Sequence, residues 1–243
     1  MMRRLLMAFD FDHTIINDNS DIVVRNMLGS PIPEEVAKLY RTDGWTAYMQ
    51  SIFKLLNTDG FSPLQLQSAI KQIPYTPGMD ALLEGLHQRG DAEVIIISDS
   101  NSVFIRDWLE HASVDHIVNK TFTNPAHFDD EGLLNIKMYH EQDWCTLSTK
   151  NLCKGHILQS YVNERAKEGV KFDCIGYVGD GNNDLCPCLK LSQVDLAFPR
   201  KDYSLAKMIS KEDFQHKIEA GVHIWESGHE ILEVIRKHLP PNP

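Results

Sequence analysis

The stretch Leu5-Leu6-Met7-Ala8-Phe9, followed at once by Asp10-Phe11-Asp12-His13-Thr14, decides how this chain is read. Five apolar residues in a row are strand-length, and a strand without polar alternation is one covered on both faces. The polar cluster after it holds two carboxylates at i and i+2, which project to one side of an extended chain. A few ångströms apart, two such charges repel by several kcal/mol at an effective dielectric of ~20. The pair therefore calls for a cation between them or a proton on one of them. Taken alone, the stretch also fits a solvated Asp-x-Asp turn before Asn17-Asp18.

Working outward, short apolar runs recur at 94–97, 174–178 and 194–198, each bounded by turn residues. Between them lie helical patterns. Residues 79–89 place Met79, Leu82, Leu83 and Leu86 on one face, with Pro77 before and Gly90 after. Residues 103–112 and 152–166 repeat the pattern. Strands alternating with helices predict an α/β fold, a Rossmann-like parallel sheet with helices on both faces. Residues 17–75 show helical spacing (Val36, Leu39, Tyr40; Tyr48, Met49, Ile52, Phe53, Leu56) and no clear strand. They read as a helical cap inserted into a core made of 1–16 and 76–243.

Composition narrows the function. The chain has 243 residues, 42% hydrophobic and 24% charged, an ordinary globular balance. The formal net charge is −10 and no dense Lys/Arg run occurs, which argues against a nucleic-acid partner. No stretch approaches the ~20 apolar residues of a membrane span. The segment from Met1 to Phe9 is too short for a signal peptide before Asp10 interrupts it. Five cysteines, an odd and sparse number, read as free thiols in a reducing cytoplasm. Pro240-Pro241-Asn242-Pro243 reads as a frayed tail.

Open α/β sheets bind ligands beyond the C-terminal ends of their strands, so polar clusters after different strands converge on one place. Three more follow the opening acidic pair. Ser98-Asp99-Ser100-Asn101 closes the second strand and opens a helix; it reads as a helix cap or as an anion site. Lys154 stands at a helix start, where the dipole disfavours a cation unless an anion joins it. Gly179-Asp180-Gly181-Asn182-Asn183-Asp184 lets the backbone approach a ligand closely and delivers two further carboxylates, although Asp-Gly also suits a hairpin turn. Carboxylates for a hard cation, with a hydroxyl and an ammonium for phosphate, make Mg²⁺ the natural cofactor, since it binds a few carboxylates along with substrate phosphate and water.

In this order and strand context, Asp-x-Asp-x-Thr, strand-Ser, Lys and Gly-Asp-Gly-x-Asn-Asp resemble the haloacid dehalogenase superfamily of phosphohydrolases, and the insert resembles its C1 cap. Phe9-Asp10-Phe11-Asp12, Asn19-Ser20-Asp21, Ile97-Ser98-Asp99-Ser100-Asn101, Lys150-Asn151-Leu152-Cys153-Lys154 and Ala197-Phe198-Pro199-Arg200 resemble the phosphoethanolamine/phosphocholine phosphatase family. The run Ser98 to Ile105 looks closest to its pyridoxal phosphate phosphatase branch. The resemblance implies Asp10 as nucleophile, Asp12 as general acid/base, and Thr14 and Lys154 as further catalytic groups. It implies Asp10, Asp12, Asp180 and Asp184 around Mg²⁺, and Ser98, Asp99, Asn101 and Asp21 toward the substrate. It leaves the leaving group open between pyridoxal and a phosphorylated amine. One departure stands out. The family's Cys-x-x-Cys-Pro cluster is reduced here to Cys145 and Cys153, and Cys186-Pro187-Cys188 has the wrong spacing to replace it, so a zinc site is not expected. Two other readings are a phosphomutase of the same fold and an Asp-phosphorylated receiver domain; the length and the insert disfavour the second.

Overall fold

A computed structural model describes residues 4–240; residues 1–3 and 241–243, including most of the Pro-rich tail, lie outside the described residues. The first strand, β1 (Leu5–Phe9), is wholly buried. Four helices follow without a strand: α1 (Ser20–Arg25), α2 (Glu34–Thr42), α3 (Trp45–Thr58) and α4 (Pro63–Lys71). Then come α5 (Met79–Arg89), β2 (Ala92–Asn101), α6 (Ser102–His111), β3 (Lys120–Asn124) and a hairpin of β4 (Ala126–Phe128) with β5 (Leu134–Ile136). The chain continues through α7 (Lys154–Lys167), β6 (Cys174–Gly179), α8 (Leu185–Cys188), β7 (Leu196–Pro199), α9 (Ser204–Ile209), α10 (Glu212–Gln215), β8 (Gly221–Val222) and α11 (Gly228–His238).

Six strands form one parallel sheet in the order β3-β2-β1-β6-β7-β8. The chain builds leftward from β1 and then restarts at β6, so the crevice between the C-terminal ends of β1 and β6 is the topological switch point, where such sheets hold ligands. Alternate residues of β1 feed two separate cores. Leu5, Met7 and Phe9 pack with α5, α6 and α11, while Leu6 and Ala8 pack with α7, α8 and α9. This double cover explains why the strand sequences show no polar alternation.

The helices between β1 and α5 share the first core. Tyr48, Met49, Ile52, Phe53, Leu56, Leu66 and Ile70 join Phe9, Phe104 and Trp108 in one cluster. The Trp108 indole N–H donates to the Ile73 carbonyl at 2.9 Å, and Phe53 meets Phe104 edge-on. Gln50 of α3 bonds the backbone of β5 at both Leu134 and Ile136. The helical segment is thus packed onto the sheet layer and the β4–β5 hairpin.

The expected strands and helices are present with shifted ends. The run at 94–97 lengthens to ten residues, and its pairing with β3 shifts register between Ser98 and Asn101. Such an irregularity re-aims side chains beside a ligand crevice. The run at 194–198 becomes Leu196–Pro199, and the helix expected from 152 begins at Lys154. The apolar pattern does not register β3, the β4–β5 hairpin, β8 or the helices α8 to α11.

Candidate active site

The ends of β1, β2 and β6 each deliver side chains to the switch point. Asp10 directly follows β1, and its backbone N–H donates to Val178 of β6 at 2.9 Å, so the sheet ladder continues to the residue itself. Its Oδ1 accepts the Phe11 N–H at 2.7 Å, and its Oδ2 lies 2.6 Å from Lys154 Nζ. Beyond it the chain folds back sharply. His13 takes a left-handed φ of 54°, its N–H donates to the Asp18 carbonyl, and Arg200 binds the His13 carbonyl and Asn17 Oδ1. A non-glycine residue in that region stays there only when its surroundings hold it, and the Arg200 guanidinium supplies part of that hold.

Lys154 is fully buried at the N-terminus of α7. Its ammonium sits between Asp10 and Asp184, at 2.6 Å and 2.7 Å. Burial disfavours its charge, but Asp10, Asp184 and Asp99 raise its pKa on balance, so it stays protonated. Asp184 is fully buried as well and accepts four hydrogen bonds: Lys154 and the Tyr177 hydroxyl on Oδ1, the Asp180 and Gly181 amides on Oδ2. Gly179 is bare for this reason, since a Cβ there would stand 2.5 Å from the Asp184 carboxyl.

The remaining carboxylates lack such compensation. Burial, only partly offset by Lys154, pushes Asp10 up to about 6. Burial and the Asp10 and Asp184 charges push Asp180 up to about 8. Burial, then the Asp21 charge, raises Asp12 well above the usual carboxylate range, although its Oδ1 accepts the Ser20 N–H at 2.8 Å. Oxygens of Asp10, Asp180 and Asp184 all lie within 4.8 Å of one another. A set of crowded, buried carboxylates of this kind binds protons or a hard cation.

A cavity of about 290 Å³ opens on this cluster, lined by Asp10, Asp12, His13, Asn19, Trp45, Ser98, Asp99, Asp180, Gly181 and Asn183. Four sequence-distant clusters therefore meet here: Asp10, Ser98 and Asp180 line the cavity, and Lys154 pairs with Asp10 behind it. Ser98 is buried and its Oγ accepts the Ser100 N–H at 3.3 Å. Asp99 is held by the Asn183 amide at 2.7 Å, while its buried Oδ1 has no hydrogen-bond partner among the described residues. Thr14 is fully buried, with its hydroxyl 3.5 Å from Asp180 Oδ1.

Two residues expected to face a substrate do not line the cavity. Asn101 itself caps α6, its side-chain oxygen accepting the Val103 and Phe104 amides, so the stretch does supply a helix cap, though through its asparagine and not through a serine or aspartate. Asp21 lies behind Trp45, whose indole N–H donates to its Oδ2 at 2.7 Å. Burial, opposed by this bond and reinforced by Asp99, pushes Asp21 up to about 7. A carboxyl raised on folding stabilises the fold fully below its ordinary pKa and loses that contribution as pH rises toward about 7. Asp21→Asn does not ionise. Its urea midpoint is therefore expected to gain on the wild type between pH 5 and pH 8; a difference independent of pH would contradict the assignment. Pattern reading also missed Tyr177, buried in an apolar strand. A buried tyrosine needs a partner for its hydroxyl, and that requirement was the available signal.

The fold is that of haloacid dehalogenase-like phosphatases. A phosphoserine phosphatase in its apo form superimposes with a TM-score of 0.61 at 21% identity, covering 95% of this chain and 98% of that one. A substrate-bound phosphoserine phosphatase complex gives 0.60 at 20% identity, over 96% of this chain and 99% of that one. The sequence is more specific. Residues 5–239 match the family model described as "Putative Phosphatase". The chain is 41% identical to pyridoxal phosphate phosphatase PHOSPHO2 of Homo sapiens over 233 residues, which is 94% of this chain and 96% of that protein. It is 36% identical to human phosphoethanolamine/phosphocholine phosphatase over 240 residues, 97% of this chain and 88% of that protein. The chain belongs to this phosphatase family and is a phosphoric monoester hydrolase. Among the described residues no helix is long and apolar enough to cross a membrane.

Proposed function

We propose that the protein hydrolyses a small phosphomonoester through a covalent phosphate on Asp10, with pyridoxal 5′-phosphate as the substrate, after the name of the 41%-identical human relative. The observation that carries this reading is the Asp10 carboxylate paired to a fully buried ammonium at the sheet switch point, facing a cavity of about 290 Å³. A carboxylate needs no base to become a nucleophile, but it does need its charge offset against a phosphate dianion. Lys154 offsets it directly. Asp10 attacks phosphorus, the bond to the leaving oxygen breaks, and Asp12 gives that oxygen its proton. Asp12 then takes a proton from the water that attacks phosphorus and frees Asp10. The raised pKa of Asp12 suits the first of these roles, because the group must start protonated. Ser98 and the Gly181 region offer donors to the non-bridging oxygens.

The donor set fits Mg²⁺. Asp10 and Asp180, with the Asp12 carbonyl, would hold it, whereas Asp184 has its oxygens engaged and holds Lys154. When bound, Mg²⁺ neutralises charge on the phosphoryl group. Ligand carboxylates must lose protons first, so Mg²⁺ affinity is expected to rise with pH from about 6 to about 8, across the raised values of Asp10 and Asp180. Calorimetric titration in buffers of different ionisation enthalpy should show protons released; pH-independent affinity without release would contradict this.

We read 17–75 as the cap that selects the leaving group, since Asn19 and Trp45 line the cavity from that segment. The unpartnered Asp99 oxygen favours a second substrate class, phosphoethanolamine or phosphocholine, whose cationic head would meet it. The test is kcat/KM with Mg²⁺ for pyridoxal 5′-phosphate, phosphoethanolamine, phosphocholine, pyrophosphate and a sugar phosphate. The reading predicts highest efficiency for pyridoxal 5′-phosphate, and preference for the amine esters would favour the second class. Lack of phosphate release from all five would overturn it.

A further inference from the structure

We propose that Cys145, Cys153 and Cys186 form a second metal centre, a three-thiolate site for one Zn²⁺ ion beside the carboxylate cluster. The spacing argument against such a site considered Cys186 only together with Cys188, but the fold uses Cys186 and leaves Cys188 out. The Cys145 and Cys186 sulfurs lie 3.5 Å apart, those of Cys153 and Cys186 lie 3.8 Å apart, and all three fall within 4.8 Å of one another. Zinc–sulfur bonds of ~2.3 Å at tetrahedral angles put ligand sulfurs about 3.8 Å apart. The three thiols therefore already stand near the separations a bound ion requires.

The surroundings are shaped for this arrangement. The three sulfurs come from the loop after β5, the N-cap of α7 and the helix α8. Gly155 is bare beside them, and a Cβ there would stand 2.6 Å from the Cys186 sulfur. Cys145 is fixed by Gln142, which accepts its amide at 2.8 Å and donates to the Cys145, Ser148 and Thr149 carbonyls. The Cys153 amide donates to His140 Nε2 at 3.0 Å. Supporting bonds of this kind orient ligands before the metal arrives. A cavity of about 300 Å³, lined by the three cysteines with Trp144 and His156 among others, leaves a fourth coordination position accessible. Soft thiolates select Zn²⁺ over Mg²⁺, so the two clusters take different ions. Cys153 adjoins Lys154 and Cys186 follows Asp184 by two residues, so an ion here ties together the two segments that carry the Lys154–Asp184 pair.

The test uses the reduced full-length protein, stripped with EDTA and desalted. Titration with Cd²⁺ should produce a thiolate-to-metal charge-transfer band that saturates at one equivalent per chain, is displaced by Zn²⁺ and is unaffected by millimolar Mg²⁺. Cys145→Ser, a change at the most exposed of the three, should lose the band, while Asp10→Asn, in the carboxylate cluster, should keep it. X-ray absorption of the zinc-loaded wild type gives a readout independent of any variant, and three sulfurs at ~2.3 Å are expected. No band in the wild type, a band that survives Cys145→Ser or vanishes in Asp10→Asn, or a zinc shell of only oxygen and nitrogen would each overturn the proposal.

Discussion

Asp10→Asn is expected to lower kcat by at least ~10³-fold while leaving the protein folded, the scale on which removing an attacking group acts. The substitution is isosteric. The Asn side-chain oxygen can still accept the Phe11 amide that Asp10 Oδ1 accepts at 2.7 Å, so the turn beyond β1 is preserved. The carboxylate that faces Lys154 at 2.6 Å is lost, and an amide nitrogen is a poor nucleophile toward phosphorus. Stability should change little or rise at neutral pH. The Asp10 carboxyl, pushed up to about 6 mainly by burial, loses its stabilising contribution as pH rises through that value, and Asn does not titrate. Loss of activity with retained or improved urea resistance separates a chemical role from a structural one. Comparable losses of both would count against Asp10 as the attacking group.

The second large effect is on stability. Lys154→Met keeps the aliphatic stem but leaves Asp10 and Asp184 without their shared cation in a fully buried place. Breaking a buried ion pair from one side costs about 3–5 kcal/mol, because the remaining charge is uncompensated. For a chain of this size that corresponds to a Tm lower by on the order of 10 °C. The cost should shrink below pH 6, where Asp10 can take a proton and relieve the repulsion. Activity should fall as well, by about 10²–10³-fold for the loss of one charge-stabilising donor. Urea unfolding at pH 5 and pH 8 together with steady-state kinetics measures both parts. A variant as stable as the wild type at pH 8 would contradict the electrostatic account.

These two residues mark what local sequence carries and what it does not. β1 and its acidic pair are readable because five buried apolar residues and the polar cluster after them are contiguous. The Gly179–Asp184 loop is readable because close backbone approach demands glycine and its carboxylates are neighbours in the chain. Lys154 was placed at a helix start by pattern, but its burial between two carboxylates depends on β1 and β6 lying side by side. Asp21 and Asn101 show the converse. Their residue types suit substrate contact, while tertiary structure adds the Trp45 indole bond to one Asp21 oxygen and turns the Asn101 side-chain oxygen to the α6 cap, neither of which a local pattern registers. The strand β3, Lys-Thr-Phe-Thr-Asn, has a single large apolar residue, and β8 has two residues, so neither carries a pattern to detect. Cys186 sits 41 residues from Cys145 and meets it only through tertiary packing, which no spacing rule registers.

The central claim is that phosphate passes through a covalent bond to Asp10. Its most direct test is rapid mixing of the Mg²⁺-loaded protein with a phosphomonoester it hydrolyses, quenching in acid within milliseconds, and mapping of the phosphate by mass spectrometry after borohydride reduction. The account predicts transient phosphorylation at Asp10 alone, read as its conversion to homoserine, rising and decaying within one turnover. Phosphate carried by another residue, or turnover with none bound to the chain at any time, would contradict it.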